Sequence, residues 1–432
     1  MRIHASILGL LIAGTLSAAP PARPNVLLIV VDTLRYDATQ NNTMPFLASL
    51  APNAVVFSRA YSTHDFTPTS HFSIFTGLHD GLGTDDDRVE NGVAYQLQRA
   101  GYQTFATIAN TLLAPAQMPT ARGFTQLKLL GINISTGSAL DDVRDLTDAD
   151  LRLRLFRCAP NQRNLVKVHY SASVLLPVFL EQIEQAKPPY FGFVNLLDVH
   201  EPYIPDPQLY PPERSLPPNF DGDVVYRRLP PELRHPETIS DPTRRAFVMK
   251  KIAQAGAPWQ TTLDLSPAAV TIYHNRYNAQ ARSVDDVLRQ FFDAMKRKGL
   301  LDNTVVIITS DHGESFGEDG LITHMFHDRG DYEVTHHVPM IVVFPPSMGV
   351  KPRTIGRTVS IANLAPTIYD LAGLDRAPLR ARYATYPRSL LRAVGVTEAV
   401  VASVDLPKPS KQDHTLALQE REKAMRSLGY VH

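Results

Sequence analysis

In this chain of 432 residues, acidic and imidazole side chains stand repeatedly just past a short apolar run rich in β-branched residues. Asp32 follows NVLLIVV (25–31), His200 comes soon after YFGFVNLL (190–197), and Asp311 and His312 lie just past TVVIIT (304–309). Uninterrupted apolar runs of this length suit strands buried on both faces of a parallel sheet, and open α/β sheets gather their ligands at the carboxyl ends of such strands. Asp32 is thus placed for a metal or phosphate site, unless it caps a following helix. Asp311 and His312 are the strongest metal-ligand candidates. Neighbours in sequence reach one ion only where the chain turns, and Gly313 permits the turn. His200 could act as an acid, a base or a charge-stabilising group.

The elements that must position these groups alternate along the chain. A helix is expected over 92–100 and a strand over 102–108, with Gly101 between them. A helix over 170–185 precedes the strand at 190–197, and a long helix over 268–298 ends at Gly299, before the strand at 304–309. In DFTPTSHFSIFTG (65–77), Pro68 favours the first turn of a helix, Ser70 and His71 offer partners for its free backbone donors, and Gly77 stops the run. Thr67 therefore opens an apolar helix. This alternation predicts an α/β fold with one large domain and a small appendage. Residues 202–267 break the pattern with PPERSLPPNF and LPPELRHP, and such a long irregular stretch is expected to wall or cover a site, with Trp259 stacking on a ligand or packing the segment down. Residues 141–168 read as a charged surface excursion.

TPTSHFSIFTG resembles the nucleophile segment of the sulfatase family within the alkaline phosphatase superfamily, which typically reads C/S/T-x-P-S-R/H-x-S-I/L-x-T-G. On that pattern Thr67 takes the nucleophile position and His71 the basic position, while Thr69 departs from the usual proline. VVDTLRYD (30–37) is similar to the family's first motif, with Asp32 as metal ligand and Arg35 and Asp37 in supporting places; Thr33 stands where calcium-dependent members carry a second aspartate. DVHEPY (198–203) resembles a DxHxPY turn whose histidine contacts the transferring group or the leaving oxygen, which would be His200. SDHGESFGEDG (310–320) is similar to the SDHGE metal motif. His327, Tyr332, Glu333, His337, Val338 and Pro339 resemble a run whose histidine binds the substrate's anionic group. His327 fits that spacing best, with His324 and His336 as alternatives, and Arg329 could replace the customary lysine. VSIANLAPTIYDLAGL (359–374) is similar to a family helix near the end of the main sheet, with Asn363 where aspartate is frequent.

The resemblance implies an alkaline-phosphatase-like sandwich: a mostly parallel central sheet with helices on both faces, a catalytic domain over 24–375 and a shortened carboxyl-terminal subdomain over 376–432. It also implies one divalent metal ion on Asp32, Thr67, Asp311 and His312. A mixed oxygen and nitrogen donor set with one histidine suits manganese or zinc better than calcium, with magnesium also open. The expected activity is metal-dependent hydrolysis of phosphate esters, with sulfate and phosphonate esters as relatives, of a small molecule or a glycan. Thr67 would be the nucleophile, His200 and His327 the catalytic histidines, and Arg35, His71, Arg329 and His337 the supporting or substrate-binding residues. A phosphoglycerol or phosphoethanolamine transferase, or a binding protein without turnover, are the alternatives. Formylglycine cannot form at a threonine, which weighs against sulfate.

Forty-three basic and forty-three acidic residues leave no net charge, so nucleic acid is not an expected partner. The start of the chain carries Arg2, an apolar run over 7–13 and small residues at Ser17 and Ala19, which reads as a secretory signal peptide over 1–19. Export to the periplasm or the medium is expected, with no membrane span after its removal and nothing that sets an oligomeric state. Cys158 is the sole cysteine, so no intramolecular disulfide can form.

Overall fold

The computed structural model describes residues 23–40, 42–79, 89–115, 118–130, 171–201, 203, 205, 209–210, 267–318, 322–324, 332–375, 387–395 and 401–403. The expected leader, Cys158, Trp259, His327, Arg329 and nearly all of the proline-rich segment lie outside these residues, as does most of the chain after 375.

Eight strands form the central sheet: β1 (Asn25–Val31), β2 (Val55–Phe57), β3 (Gln103–Ile108), β4 (Gln126–Leu129), β5 (Tyr190–Leu196), β6 (Thr304–Thr309), β7 (Met340–Val343) and β8 (Arg353–Ile355). Their spatial order is β8-β2-β7-β6-β1-β5-β3-β4. β1 lies at the centre, parallel to β5 and β6, with Ile29 opposite Val194 on one side and Ile308 on the other. Among the described strands of this sheet, β7 alone runs against the rest.

Every residue of β1 is buried, because both faces of the sheet are covered. The described helices are α1 (Pro45–Ser49), α2 (Thr67–Thr76), α3 (Val93–Arg99), α4 (Ala172–Gln185), α5 (Pro267–Arg297), α6 (Tyr332–His336) and α7 (Leu364–Leu371). Val26, Leu28 and Val30 join Phe72, Ile74 and Phe75 of α2 and Ile368 of α7 in one core. Leu27, Ile29 and Val31 join Leu175 and Phe179 of α4 and Tyr273, Tyr277 and Leu288 of α5 in the other. The period of two along β1 thus divides one apolar run between two cores, which gives the expected α/β sandwich. No helix among the described residues is long and apolar enough to cross a membrane.

Two small ribbons complete the site's frame. Residues 337–338 pair antiparallel with 60–61, which also pair with 359–360. Residues 315–316 pair antiparallel with 322–323, turning the chain back so that His324 returns toward His312. The helix expected within 359–374 is confined to α7. Ser360 Oγ accepts from Ala362 N at 3.2 Å and Asn363 Oδ1 from Ser360 N at 2.7 Å, a capping box that closes a 3-10 turn ahead of it.

Candidate active site

Three strand ends and one helix start converge on a buried group of oxygens and nitrogens. Asp32 leaves the end of β1 fully buried. Its Oδ2 accepts from Asn110 Nδ2 at 3.2 Å, just past β3, and from Asn195 Nδ2 at 3.4 Å in β5. Thr33 then adopts a left-handed φ of 59° and donates its backbone N–H to Asp311 Oδ1 at 3.2 Å. The turn expected at Gly313 is enforced by a close approach: a Cβ there would lie 1.9 Å from the Val334 carbonyl oxygen, and the Gly313 N–H donates to Thr335 O at 2.7 Å. His312 Nδ1 is fixed by the Gly313 carbonyl at 3.0 Å, which leaves Nε2 facing inward.

Thr67 stands at the start of α2, 2% exposed. Its Oγ1 lies 3.2 Å from His312 Nε2 and donates to Asp32 Oδ1 at 3.4 Å. The expected capping by Ser70 and His71 is not what forms. Both act as donors to carbonyls, Ser70 Oγ to His64 O at 2.8 Å and His71 Nδ1 to Thr67 O at 2.9 Å. Burial drives the His71 imidazole down to about 3, so it is neutral, and its buried Nε2 makes no hydrogen bond among the described residues.

Asp32, Asp311 and His312 each offer a ligand atom, all within 4.8 Å of one another. Asp311 Oδ2 is buried without a hydrogen bond among the described residues, 3.5 Å from both His312 Nε2 and His71 Nδ1. Burial and the Asp311 charge raise the Asp32 pKa, and burial raises that of Asp311 to about 6. An orphaned carboxylate oxygen and two crowded acids are what a divalent cation would satisfy, so the residues fit the expected ion.

A second group adjoins the first. His200 and His324 are 4% and 3% exposed, and their rings lie 4.9 Å apart. His324 donates Nδ1 to the buried carboxylate of Glu314 at 2.9 Å, and its ring is 4.5 Å from that of His312. His200 Nδ1 donates to the Glu201 carbonyl at 2.9 Å and lies 3.2 Å from Glu201 Oε2. Burial opposes its charge, but Glu201, Asp32 and Glu314 outweigh that and hold it up at about 9. Burial also raises the Glu314 carboxyl to about 8.

The supporting residues divide. Arg35 turns away from the ligand group to Asp37 at 2.6 Å and Glu318 at 2.8 Å, and it holds the Glu314 carbonyl at 3.1 Å, bracing the loop after β6. His337 commits both ring nitrogens at 3.0 Å, to Glu333 and to the Ser58 carbonyl, and stacks on Tyr36 at 4.0 Å. It braces the ribbon. Of the three histidines weighed for the anionic group, His324 stands beside the ligand group, His336 Nδ1 bonds Thr335 Oγ1 at 2.9 Å, and His327 lies outside the described residues. Asn110, Asn195, Glu201 and Glu314 escaped the sequence reading as site residues. Asn110 obeys the same strand-end rule that marked Asp32, and the two glutamates sit inside motifs already singled out.

The sulfatase family model matches residues 24–374. Bovine arylsulfatase K is 32% identical over 114 residues, a match covering 26% of this chain and 20% of that protein. N-acetylglucosamine-6-O-sulfatase of Bacteroides thetaiotaomicron is 23% identical over 407 residues, covering 82% of this chain and 68% of that protein. Among solved structures, the phosphonate monoester hydrolase of Silicibacter pomeroyi shares the fold with a TM-score of 0.56 at 22% identity, over 88% of this chain and 78% of that one.

Proposed function

The chain belongs to the sulfatase family of the alkaline phosphatase superfamily, whose members hydrolyse sulfate and phosphate esters, and on that premise we propose that it is an exported phosphoesterase with Thr67 as its nucleophile. The observation that carries this reading is the place of Thr67 Oγ1, 3.2 Å from His312 Nε2 and 3.4 Å from Asp32 Oδ1 within a buried acid and imidazole group. A divalent ion held by Asp32, Asp311, His312 and Thr67, with manganese or zinc favoured by the donor set, would acidify the hydroxyl and polarise a non-bridging oxygen of the ester.

The chain's own groups complete the step. Thr67 Oγ forms a bond to phosphorus as the bond to the leaving alcohol breaks, and the hydroxyl proton passes to Asp32, whose Oδ1 accepts from it at 3.4 Å. His200, kept cationic by Glu201, gives positive charge or a proton to the departing oxygen. Water then cleaves the phosphothreonine and releases phosphate. His71 stays neutral and fixes the start of α2 through the Thr67 carbonyl. His327 and Arg329 are proposed for the substrate's anionic group on their motif alone, and His324 is proposed there on geometry.

Threonine at position 67 favours phosphorus over sulfur, because the formylglycine that sulfate esters call for in this family cannot form there. The proline-rich segment is the proposed substrate-facing wall, and a small molecule or a glycan the proposed alcohol. The leader over 1–19 supports export. Initial rates on matched aryl phosphate monoester, phosphodiester, phosphonate and sulfate substrates, with manganese or zinc supplied, test the reading beside Thr67→Ala. Phosphoester turnover that falls by about 1,000-fold or more in the variant is expected. Turnover that survives the substitution would remove Thr67 as the nucleophile.

A further inference from the structure

We propose that Glu314 is a positioning residue: from the rung of the ribbon opposite His324 it fixes Nδ1 of that histidine and so leaves Nε2 to the anionic group of the substrate. The inference rests on His324 as a residue that meets that group, and adds what aims its ring.

The ribbon itself brings the two side chains together. Ser315 pairs with Thr323 and Phe316 with Ile322. The same antiparallel register, carried one residue further, sets Glu314 opposite His324. Side chains directly opposite in such a pair leave the same face, with Cβ atoms about 4.5–5.5 Å apart. Glu314 Oε1 accordingly accepts from His324 Nδ1 at 2.9 Å, with the two residues 0% and 3% exposed. The strand that carries Glu314 is fastened on both sides. Arg35 donates to the Glu314 carbonyl at 3.1 Å and to Glu318 Oε1 at 2.8 Å, and Glu318 Oε2 takes the Phe316 N–H at 2.5 Å.

The carboxylate is left to this one task. Arg35 meets the backbone of Glu314 and not its side chain, and Glu314 Oε2 makes no hydrogen bond among the described residues. Glu201 Oε2, the other carboxylate oxygen near His324 Nδ1, lies farther off at 3.8 Å. Burying an acid is costly, and here its return is the aim of a single imidazole. An imidazole has two ring nitrogens and two neutral tautomers, and an acceptor fixed on Nδ1 selects one orientation and one tautomer. His324 Nε2 then has no partner among the described residues. Its ring stands 4.5 Å from that of His312, whose own Nδ1 is held by the Gly313 carbonyl and whose Nε2 reaches Thr67 Oγ1. Both rings are thus aimed by an oxygen on Nδ1.

The test reads the ring and the anion, not turnover, so it can fail while Thr67 stands as the nucleophile, and the reverse. Zinc-loaded protein with isotope-labelled histidines reports its ring nitrogens in long-range proton–nitrogen magnetic resonance spectra, His324 being identified by its loss in His324→Gln. In the unaltered protein Nδ1 of His324 is expected to carry the hydrogen, and in Glu314→Ala to lose it to Nε2. Affinity for inorganic phosphate, measured by calorimetry, is expected to fall by about 10- to 100-fold in Glu314→Ala, and to fall no further when Glu314→Ala is added to His324→Gln. A bare Nδ1 in the unaltered protein, a ring or a phosphate affinity unchanged by Glu314→Ala, or losses that add in full would each overturn the proposal. Failure of phosphate to bind the unaltered protein would overturn the phosphoester reading with it. Should the alanine variant not fold, Glu314→Met keeps the length of the side chain without the acceptor and carries the same expectations. If neither folds, the hydrogen on Nδ1 in the unaltered protein decides.

Discussion

Asp32 does not hold its position by its own backbone alone. Asn110 and Asn195 each donate a side-chain amide to its Oδ2, at 3.2 and 3.4 Å, which leaves Oδ1 for Thr67. Outer partners of this kind orient a ligand and set its basicity, and their loss typically lowers metal affinity by about 10- to 100-fold. Asn110→Ala is expected to weaken the proposed ion on Asp32, Asp311 and His312 by that factor while the chain stays folded, as measured by competition with a chelator of known affinity. Affinity that does not change would mean that the Asn110 bond is incidental. The residue scale also shows where sequence reasoning ran short. Asp311, His312 and Thr67 could be singled out because each stands where an apolar run ends or begins, and the fold brings them together. His324 and His327 are three residues apart beyond the same turn, and spacing alone could not say which one the ribbon at 315–316 and 322–323 carries back. The directions of Ser70 and His71 were misread for a related reason: a hydroxyl or an imidazole can accept or donate, and the carbonyls of His64 and Thr67 decided it.

At the scale of elements, the site depends on how tightly the loop after β6 packs against α6. The loop runs so close to Val334 that only a hydrogen fits at Gly313, since a Cβ would sit 1.9 Å from the carbonyl oxygen. Gly313→Ala must therefore push α6 or the Asp311–His312 turn aside, and backbone offers little give. The expected cost is about 1–3 kcal/mol, as for overpacking a core, and the displaced ligands should also lose the ion. Chemical denaturation and bound metal, measured together, check this. Stability lost with metal kept would place the strain on α6 alone. The strands and the long helices were readable because an uninterrupted apolar run or a 3.6-residue rhythm each has one good environment, here a sheet covered on both faces and a helix with one buried stripe. α7 lies within the 359–374 segment that resembles a family helix, and the Ser360–Asn363 capping box closes the 3-10 turn ahead of it.

For the whole molecule, charge is balanced overall and unbalanced at the centre, so with the proposed ion stability would depend on metal and pH together. Forty-three acidic residues match forty-three basic ones, yet Asp32, Asp311 and Glu314 are buried within one group. The proposed ion would bind only the folded state, and a chelator would take it away. At a hundredfold excess over its dissociation constant, that ligand contributes about 2.7 kcal/mol, or a shift of roughly 3 °C in Tm for a chain of this length. In the stripped protein the pH dependence has a definite sign. Burial raises the Glu314 carboxyl from its ordinary 4.5 to about 8, so the folded chain keeps a proton there that the unfolded chain has released. The cost of losing it grows as pH rises toward 8. His200 acts in the same direction. Held up at about 9, it contributes stability that is full below its ordinary 6.5 and fades as pH rises through 9. His71 and His312, both driven down by burial, act in the opposite sense, but only below about 6.5, where their unfolded counterparts take up protons. Between pH 6.5 and 9, then, Glu314 and His200 alone set the slope among these groups. The chelated protein should lose Tm across that window. Scanning calorimetry at pH 6.5, 7.5 and 8.5 with and without chelator checks this, and a chelated protein that grows more stable with rising pH would mean that Glu314 is ionised or solvated in the folded chain.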